Sequence, residues 1–269
     1  MRHGVELLGC FPTGRHYPGI AHLLRVVASG LCEEFPSEHA IDGLRIVAID
    51  TETTGRDPAV DRIVEIACVV WANGAVVERK NWLVNPGRPI PKEAFDVHGI
   101  SDDDVREQPS FAELAEEVLS TMQGAVPLAY NADYDRSILN AEVARLSGGT
   151  VNNPPAARRN VDWIDPLVWA RELHKYEKSK ALGEVSQRLG IEIPQAHRAE
   201  HDAEAALRVM LAFASDPRVP RTYGAFMQEQ RRLARQHEEE RRLWRSRAPA
   251  AAASTAPAAA SLRDAEAPG

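Results

Sequence analysis

Short apolar runs alternate with polar turns along the middle of the chain, and their lengths are typical of strands. The first run, LRIVAID, begins at Leu44 and ends in charged residues, which indicates a buried strand that reaches the edge of a sheet. Two further runs, IVEIACVVW and VVERKNWLV, flank Asn73 and Gly74. Because an Asn-Gly pair favours the tight turn of a β-hairpin, the pattern predicts an antiparallel pair of strands here.

Helix signals dominate the second half of the pattern. Ser110 and Glu113 have the spacing of a capping box and precede the amphipathic segment FAELAEEVLSTM. A further apolar run, AVPLAYN, leads into another helical segment. Asp165 followed by Pro166 is a favoured helix start, with the acid at the cap and proline in the first helical position. The remaining apolar periodicity predicts two more helices, at residues 181–189 and 202–214.

These elements divide the 269-residue chain into four parts. Residues 1–43 form an extension of unknown role. Three strands followed by alternating helices and strands indicate an α/β domain at 44–215. Residues 216–247 form a charged extension with helical character, in which residues 221–247 carry eight arginines and four glutamates. Residues 248–269 are rich in Ala and Pro, a composition that predicts disorder.

The composition narrows the class of protein. A hydrophobic fraction of 44% is enough to bury a core, while no apolar run is long enough to span a membrane and no clear signal peptide is seen. We therefore expect a cytoplasmic protein without a membrane partner. A net charge of −7 is unusual for a protein that binds nucleic acid through phosphate contacts alone, but it suits an enzyme that holds phosphate through bound cations.

Two acidic residues end the first predicted strand. Asp50 and Glu52 are two positions apart, so both side chains lie on one face of that strand. Two converging carboxylates are costly unless a cation neutralises them, and hard oxygen ligands suit Mg²⁺ or Mn²⁺. The alternative interpretation is a solvated strand end that leads into a turn.

Three further residues, two acids and a histidine, lie at or near predicted helix starts. Asp135 lies in the first turn of a helix that follows an apolar strand, and Asp202 lies at the start of an Ala-rich helix. His197 lies in a polar turn just before that helix. Taken one at a time, each has a simpler explanation, because carboxylates near helix starts stabilise the helix dipole and histidines there are often surface residues.

The order of these residues resembles a known family. DTETTG, NADYD and HRAEHD are similar to the three motifs of the DEDDh, or DnaQ-like, 3′→5′ exonucleases, and the resemblance covers about residues 44–215. The segment EAFDVHGISD also resembles the substrate loop of the epsilon proofreading subunits of bacterial replicative DNA polymerases. The resemblance implies an α/β, ribonuclease H-like fold, with a mixed five-stranded sheet flanked by helices.

The resemblance also implies a role for each motif residue. His197 would be the general base, and Glu93 and His98 would contact the terminal nucleotide. The metal ligands, for two Mg²⁺ or Mn²⁺ ions, would be Asp50, Glu52, Asp135 and Asp202.

The implied activity is metal-dependent release of nucleoside 5′-monophosphates from DNA, in single-stranded form, during proofreading or repair. The expected partners are nucleic acid, with DNA favoured over RNA, and a DNA polymerase subunit. Two alternatives stay open at this point: an RNA-trimming exonuclease of the same family, and a catalytically idle interaction module.

Overall fold

A mixed sheet organises the part of the chain that the structure describes. The structure is a computed structural model, and it describes residues 29–146, 153–194 and 198–247. The strand order is β3-β2-β1-β4, with β2 antiparallel to both of its neighbours and β4 parallel to β1. The strands are β1 (Ile46–Thr53), β2 (Ile63–Ala72), β3 (Ala75–Leu83) and β4 (Val126–Leu128).

Helices flank this sheet, and within the described ranges none is both long and apolar enough to cross a membrane. The α-helices are α1 (Lys92–His98), α2 (Asp102–Val105), α3 (Phe111–Thr121), α4 (Asp133–Ala144), α5 (Pro166–Leu173), α6 (Leu182–Arg188), α7 (Ala199–Ala214) and α8 (Tyr223–Arg247). Short 3₁₀ turns occur at Ile41–Gly43 and Pro155–Ala157.

The local signals that predicted turns and caps have the expected geometry. Asn73 and Gly74 both adopt positive φ, 54° and 80°, and connect β2 to β3. That conformation is what a two-residue hairpin turn requires and what Asn and Gly tolerate. Ser110 and Glu113 form the predicted capping box at the start of α3. The Asp165 carboxylate accepts a hydrogen bond from the N–H of Leu167, the second residue of α5, as expected of a cap.

The expected number of five strands is wrong, because the sheet contains four strands among the described residues. Ile164 occupies the place beside β4 and makes only a single parallel bridge, to Leu128. Its N–H donates to the Pro127 carbonyl at 2.9 Å, and its carbonyl accepts from the Ala129 N–H at 3.1 Å. The pairing ends there because α5 begins at Pro166, whose ring fixes φ and provides no N–H for a ladder.

Successive side chains of β1 point to opposite faces of the sheet. Val47 and Ile49 face the apolar core that also contains Phe111 of α3 and Leu139 of α4. The alternate positions, which include both predicted metal ligands of β1, face α7. The strand therefore supports the core on one side and presents acidic residues on the other.

Contacts divide the chain into two compact units, residues 1–233 and 234–269. In the first unit, the ring of Phe226 packs on Trp169 with centroids 4.6 Å apart, and the Tyr223 hydroxyl accepts from the Cys32 N–H at 2.9 Å. In the second unit, residues 234–247 are helical and form ion pairs one turn apart, such as Arg241 with Glu238 at 2.7 Å. Residues 248–269 lie outside the described part of the chain. The domain boundaries inferred from sequence stay predictions.

Candidate active site

Three of the predicted metal ligands converge at one end of the sheet. Asp50 and Glu52 come from the end of β1, and Asp202 comes from the first turn of α7. One carboxylate oxygen of each lies within 4.8 Å of the other two, and all three side chains are half-buried. The close approach of three acids, with no cation between them, is costly in electrostatic free energy.

The fourth predicted ligand, Asp135, lies beside this group. It occupies the first turn of α4 and is 3% exposed. The Thr51 hydroxyl, between the two acids of β1, donates to Asp135 Oδ1 at 2.8 Å. The Asp135 charge also helps to raise the pKa of Asp50. Thr51 therefore couples the orientation of α4 to the strand that carries the other ligands.

Mutual repulsion and burial raise the proton affinity of these acids. Burial is the largest cause of the raised pKa of Asp50, followed by the charges of Asp135, Glu52 and Asp202. The pKa of Glu52 is raised to about 7, chiefly by burial and then by Asp202. Burial likewise raises the pKa of Asp135 to about 7, although the hydrogen bond from Thr51 opposes this shift.

The donor set suits a hard divalent cation. All four side chains offer carboxylate oxygens, which Mg²⁺ and Mn²⁺ prefer, whereas zinc sites in proteins use mainly sulfur and nitrogen donors. A cation would replace the protons that Asp50, Glu52 and Asp135 otherwise bind more tightly because of their raised pKa values. The chemistry of the residues therefore fits the metal implied by the motifs.

The turn that precedes Asp135 is stabilised by a residue distant in sequence, Asp165. Asn131 adopts a left-handed conformation, with φ of 66°. Its N–H donates to the Asp165 carboxylate at 3.0 Å, and the Ala132 N–H donates to the same carboxylate at 3.3 Å. Asp165 thus caps α5 and fixes the turn that leads into α4. Gln230 of α8 in turn accepts a hydrogen bond from the Asp165 N–H at 2.9 Å.

Glu65 is a further acidic residue near the site that sequence reasoning did not single out as functional. It lies on β2, directly opposite Glu52 in the strand register, and is 0% exposed. Its charge raises the pKa values of both Asp50 and Glu52, although it is not the largest cause for either. The available signal was a lone carboxylate within the apolar run IVEIACVV.

The two predicted nucleotide-contacting residues lie at opposite ends of α1. His98 is 7% exposed, and its Nδ1 accepts from the Ile100 N–H at 3.0 Å. Nε2 then carries the proton and makes no hydrogen bond of standard geometry among the described residues, although the Thr53 backbone lies near the ring. Burial lowers the pKa of His98, an effect that the Thr53 backbone and the Glu65 charge oppose. His98 is therefore a neutral donor near the end of β1.

Glu93 lies in the first turn of α1 and is exposed to solvent. Among the described residues it forms no hydrogen bond or ion pair with the acidic group. The predicted general base, His197, lies outside the described residues, which stop at 194 and resume at Arg198, the cap position of α7. The roles of Glu93, His98 and His197 stay predictions.

Comparison with known proteins gives the same assignment as the motifs. The family model RNase_T, described as exonuclease, matches residues 47–210. A DNA polymerase III subunit epsilon-like protein of Rhodobacter capsulatus is 36% identical over 208 residues, which are 74% of this chain and 28% of that protein. The PolC-type DNA polymerase III of Streptococcus thermophilus is 28% identical over 214 residues, 77% of this chain and 14% of that protein. The chain spans less than a third of the length of either relative.

Solved structures support the fold. The structure of exonuclease I has a TM-score of 0.54 and 20% identity, and the match covers 64% of this chain and 40% of that chain. A zinc-bound complex of Escherichia coli exonuclease I with single-stranded DNA has a TM-score of 0.56 and 22% identity, over 65% of this chain and 41% of that chain. The ribonuclease H-like fold and the resemblance to DnaQ-like exonucleases are both confirmed.

Proposed function

Because this chain belongs to the RNase_T exonuclease family, we propose that it is a metal-dependent 3′→5′ exonuclease that releases nucleoside 5′-monophosphates from single-stranded DNA. The observation that carries the proposal is the convergence of Asp50, Glu52 and Asp202 within the region that the family model matches. An idle interaction module would have no reason to keep three mutually repelling acids within 4.8 Å of one another.

The four carboxylates have distinct supports in this mechanism. Asp50 and Glu52 are held by β1, Asp202 by α7, and Asp135 by α4 and by the hydroxyl of Thr51. Together they would hold two divalent cations, which supply an activated water and stabilise the departing 3′ oxygen.

The remaining roles concern protons and the substrate end. His197, whose ordinary pKa lies near neutrality, would accept the proton of the attacking water. The Nε2–H of His98 would donate to the terminal nucleotide, because it is buried and makes no hydrogen bond of standard geometry among the described residues. Glu93 is placed on the same helix and would contact that nucleotide from the solvent side.

The relatives support a role in replication. The epsilon-like and PolC-type proteins named above are polymerase III proteins, so we propose that this chain acts in proofreading or repair, with a DNA polymerase subunit as a partner. That role would place it in the cytoplasm. The acidic net charge is compatible with it, because bound cations would provide the contact to the substrate phosphate.

Digestion of matched substrates tests this proposal. The purified full chain would be incubated with Mg²⁺ and with single-stranded DNA, a duplex with a 3′ mismatch, and RNA of the same sequence, each labelled at the 5′ end. We expect a ladder shortened by single nucleotides from the 3′ end, formed fastest on single-stranded DNA. Faster digestion of RNA would favour the RNA-trimming alternative, and immediate release of the 5′-labelled nucleotide or internal cuts would contradict the proposed direction.

A further inference from the structure

Glu65 is a buried carboxylate whose three partners come from β3 and from the start of α7. Its Oε1 accepts from Asn81 Nδ2 of β3 at 2.8 Å and from the Arg198 guanidinium at 2.9 Å. Its Oε2 accepts from the backbone N–H of Ala199 at 3.4 Å. Glu65 has no exposure, and these charge-assisted contacts with a guanidinium and with N–H donors compensate its burial.

The bond to Ala199 lies at the start of α7. Arg198 occupies the cap position, and its side chain makes no hydrogen bond to the N–H groups of the first turn. Glu65 supplies an acceptor there instead, from a strand 134 residues away in sequence. A negative charge at a helix start also stabilises the helix dipole. The start of α7 is therefore set by β2 rather than by a local cap.

Glu65 and its contact with Ala199 lie close to the acidic residues of both β1 and α7. Glu65 pairs with Glu52 across the β1–β2 ladder, and Asp202 lies in the turn of α7 that begins at Ala199. A shift of that turn would move Asp202 relative to the two acids of β1, while the strands stayed in place.

We propose that Glu65, acting with Arg198, is a positioning residue that fixes Asp202 against Asp50 and Glu52 for metal binding. The proposal rests on the function proposed above. It gives a role in the site to Glu65, a residue outside the three motifs of the family. Partners that orient metal ligands typically contribute 10-fold to 100-fold to metal affinity or activity.

A matched control exists in the same protein. Glu142 is 1% exposed and accepts from Arg62 at 2.7 and 3.0 Å and from the Ile63 N–H at 3.3 Å. It therefore has the same kind of partners as Glu65, an arginine and a backbone N–H, but it lies near the end of α4. Glu65→Gln and Glu142→Gln each remove one buried charge without changing the shape of the side chain.

The test measures metal binding directly. Calorimetric titration of the full-length protein with Mn²⁺ should give a Kd that is roughly 10-fold to 100-fold weaker in Glu65→Gln. Glu142→Gln should change it by less than about threefold, although thermal melting should show destabilisation of both variants. An unchanged Mn²⁺ affinity in Glu65→Gln, or an equal loss in the two variants, would overturn the proposal.

A second variant guards against misfolding of the first. The Arg198 side chain is 40% exposed, so Arg198→Gln should fold and should also weaken Mn²⁺ binding. In the double variant, the two losses should be less than additive, because both act through one contact. Full additivity would contradict a shared role. Wild-type protein that binds Mn²⁺ yet hydrolyses no substrate would remove the proposed function and leave this inference standing.

Discussion

Two groups of buried acids in this protein have opposite surroundings. Glu142 and Glu65 each face an arginine and a backbone N–H, so their charges are compensated within the fold. The group formed by Asp50, Glu52, Asp135 and Asp202 brings four acids close together. Burial raises the pKa values of the first three, and repulsion from other acids of the group adds to the shift for Asp50 and Glu52. The first arrangement holds elements together, whereas the second is unfavourable until a cation binds.

The comparison predicts that acids of the two groups respond differently to neutralisation. Neutralising a paired acid removes a stabilising contact, which lowers stability and leaves chemistry intact unless the contact orients a ligand. Neutralising one of the four clustered acids relieves repulsion. Stability is then preserved, whereas metal-dependent activity is lost. This division can be tested with single substitutions.

Asp50→Asn should have the largest effect on activity. We expect turnover with Mg²⁺ to fall by more than about 100-fold, the upper range for residues that only orient ligands, because Asp50 would itself be a ligand. The thermal melting temperature in EDTA should rise or stay constant, since the substitution removes a buried carboxyl group that repels its neighbours whenever it is ionised. Turnover near the wild-type rate, or a lower melting temperature in EDTA, would contradict the assignment of Asp50.

His197→Ala should have the next largest effect. Loss of a general base should lower kcat by roughly 10² to 10⁴ with little change in DNA binding, and the acidic limb of the pH–rate profile should disappear. His201→Ala is the control, because His201 is next to Asp202 and neighbouring residues on a helix face different directions. A pH–rate profile that keeps its acidic limb in His197→Ala would exclude the role of base.

The same contrast explains what sequence reasoning could and could not find. The Asn-Gly hairpin, the capping box of α3 and the Asp165 cap were predicted because each depends on residues a few positions apart. The helix with Asp202 was predicted to begin at residue 202, yet α7 begins at Ala199. The acceptor at its first N–H is Glu65, and no local pattern indicates a contact over that sequence distance.

The strand count failed for a related reason. The five-stranded sheet was implied by resemblance, but the early start of α5 at Pro166 limits Ile164 to one bridge in this chain. The metal ligands, by contrast, could be named because their motifs combine residue type, order and spacing. What holds these ligands in place, such as Thr51 against Asp135, required the structure.

Arg62→Met should affect stability alone. It leaves Glu142 buried beside an uncharged side chain, and breaking a buried pair in this way costs about 3 kcal/mol, the low end of the usual range. The low end is expected because the Arg62 side chain is 31% exposed and Arg145 lies 3.6 Å from the same carboxylate. Urea unfolding measures the loss, and kcat at saturating Mg²⁺ should stay within about threefold of wild type. A large loss of kcat in this folded variant would contradict the proposed difference between the arginine-paired acids and the clustered acids.

The smallest expected effect is the pH dependence of stability without metal. The pKa values of Glu52 and Asp135 are about 7 in the folded protein, above the ordinary values of 4.5 and 3.8. Groups whose pKa is raised by folding stabilise the protein below the ordinary pKa, and that contribution is lost as the pH rises through about 7.

In EDTA, the melting temperature should therefore fall by a few degrees between pH 5 and pH 8, by an amount on the order of 1 kcal/mol of stability. Asp50→Asn should show a smaller fall, because the raised pKa of Asp50 itself contributes to the fall, and saturating Mg²⁺ should suppress the fall in the wild type. His98, whose pKa is lowered by burial, acts in the opposite direction but equally in both proteins, so the difference between them isolates the acidic group. Identical pH profiles for the two proteins in EDTA would show that folding does not raise the pKa of Asp50.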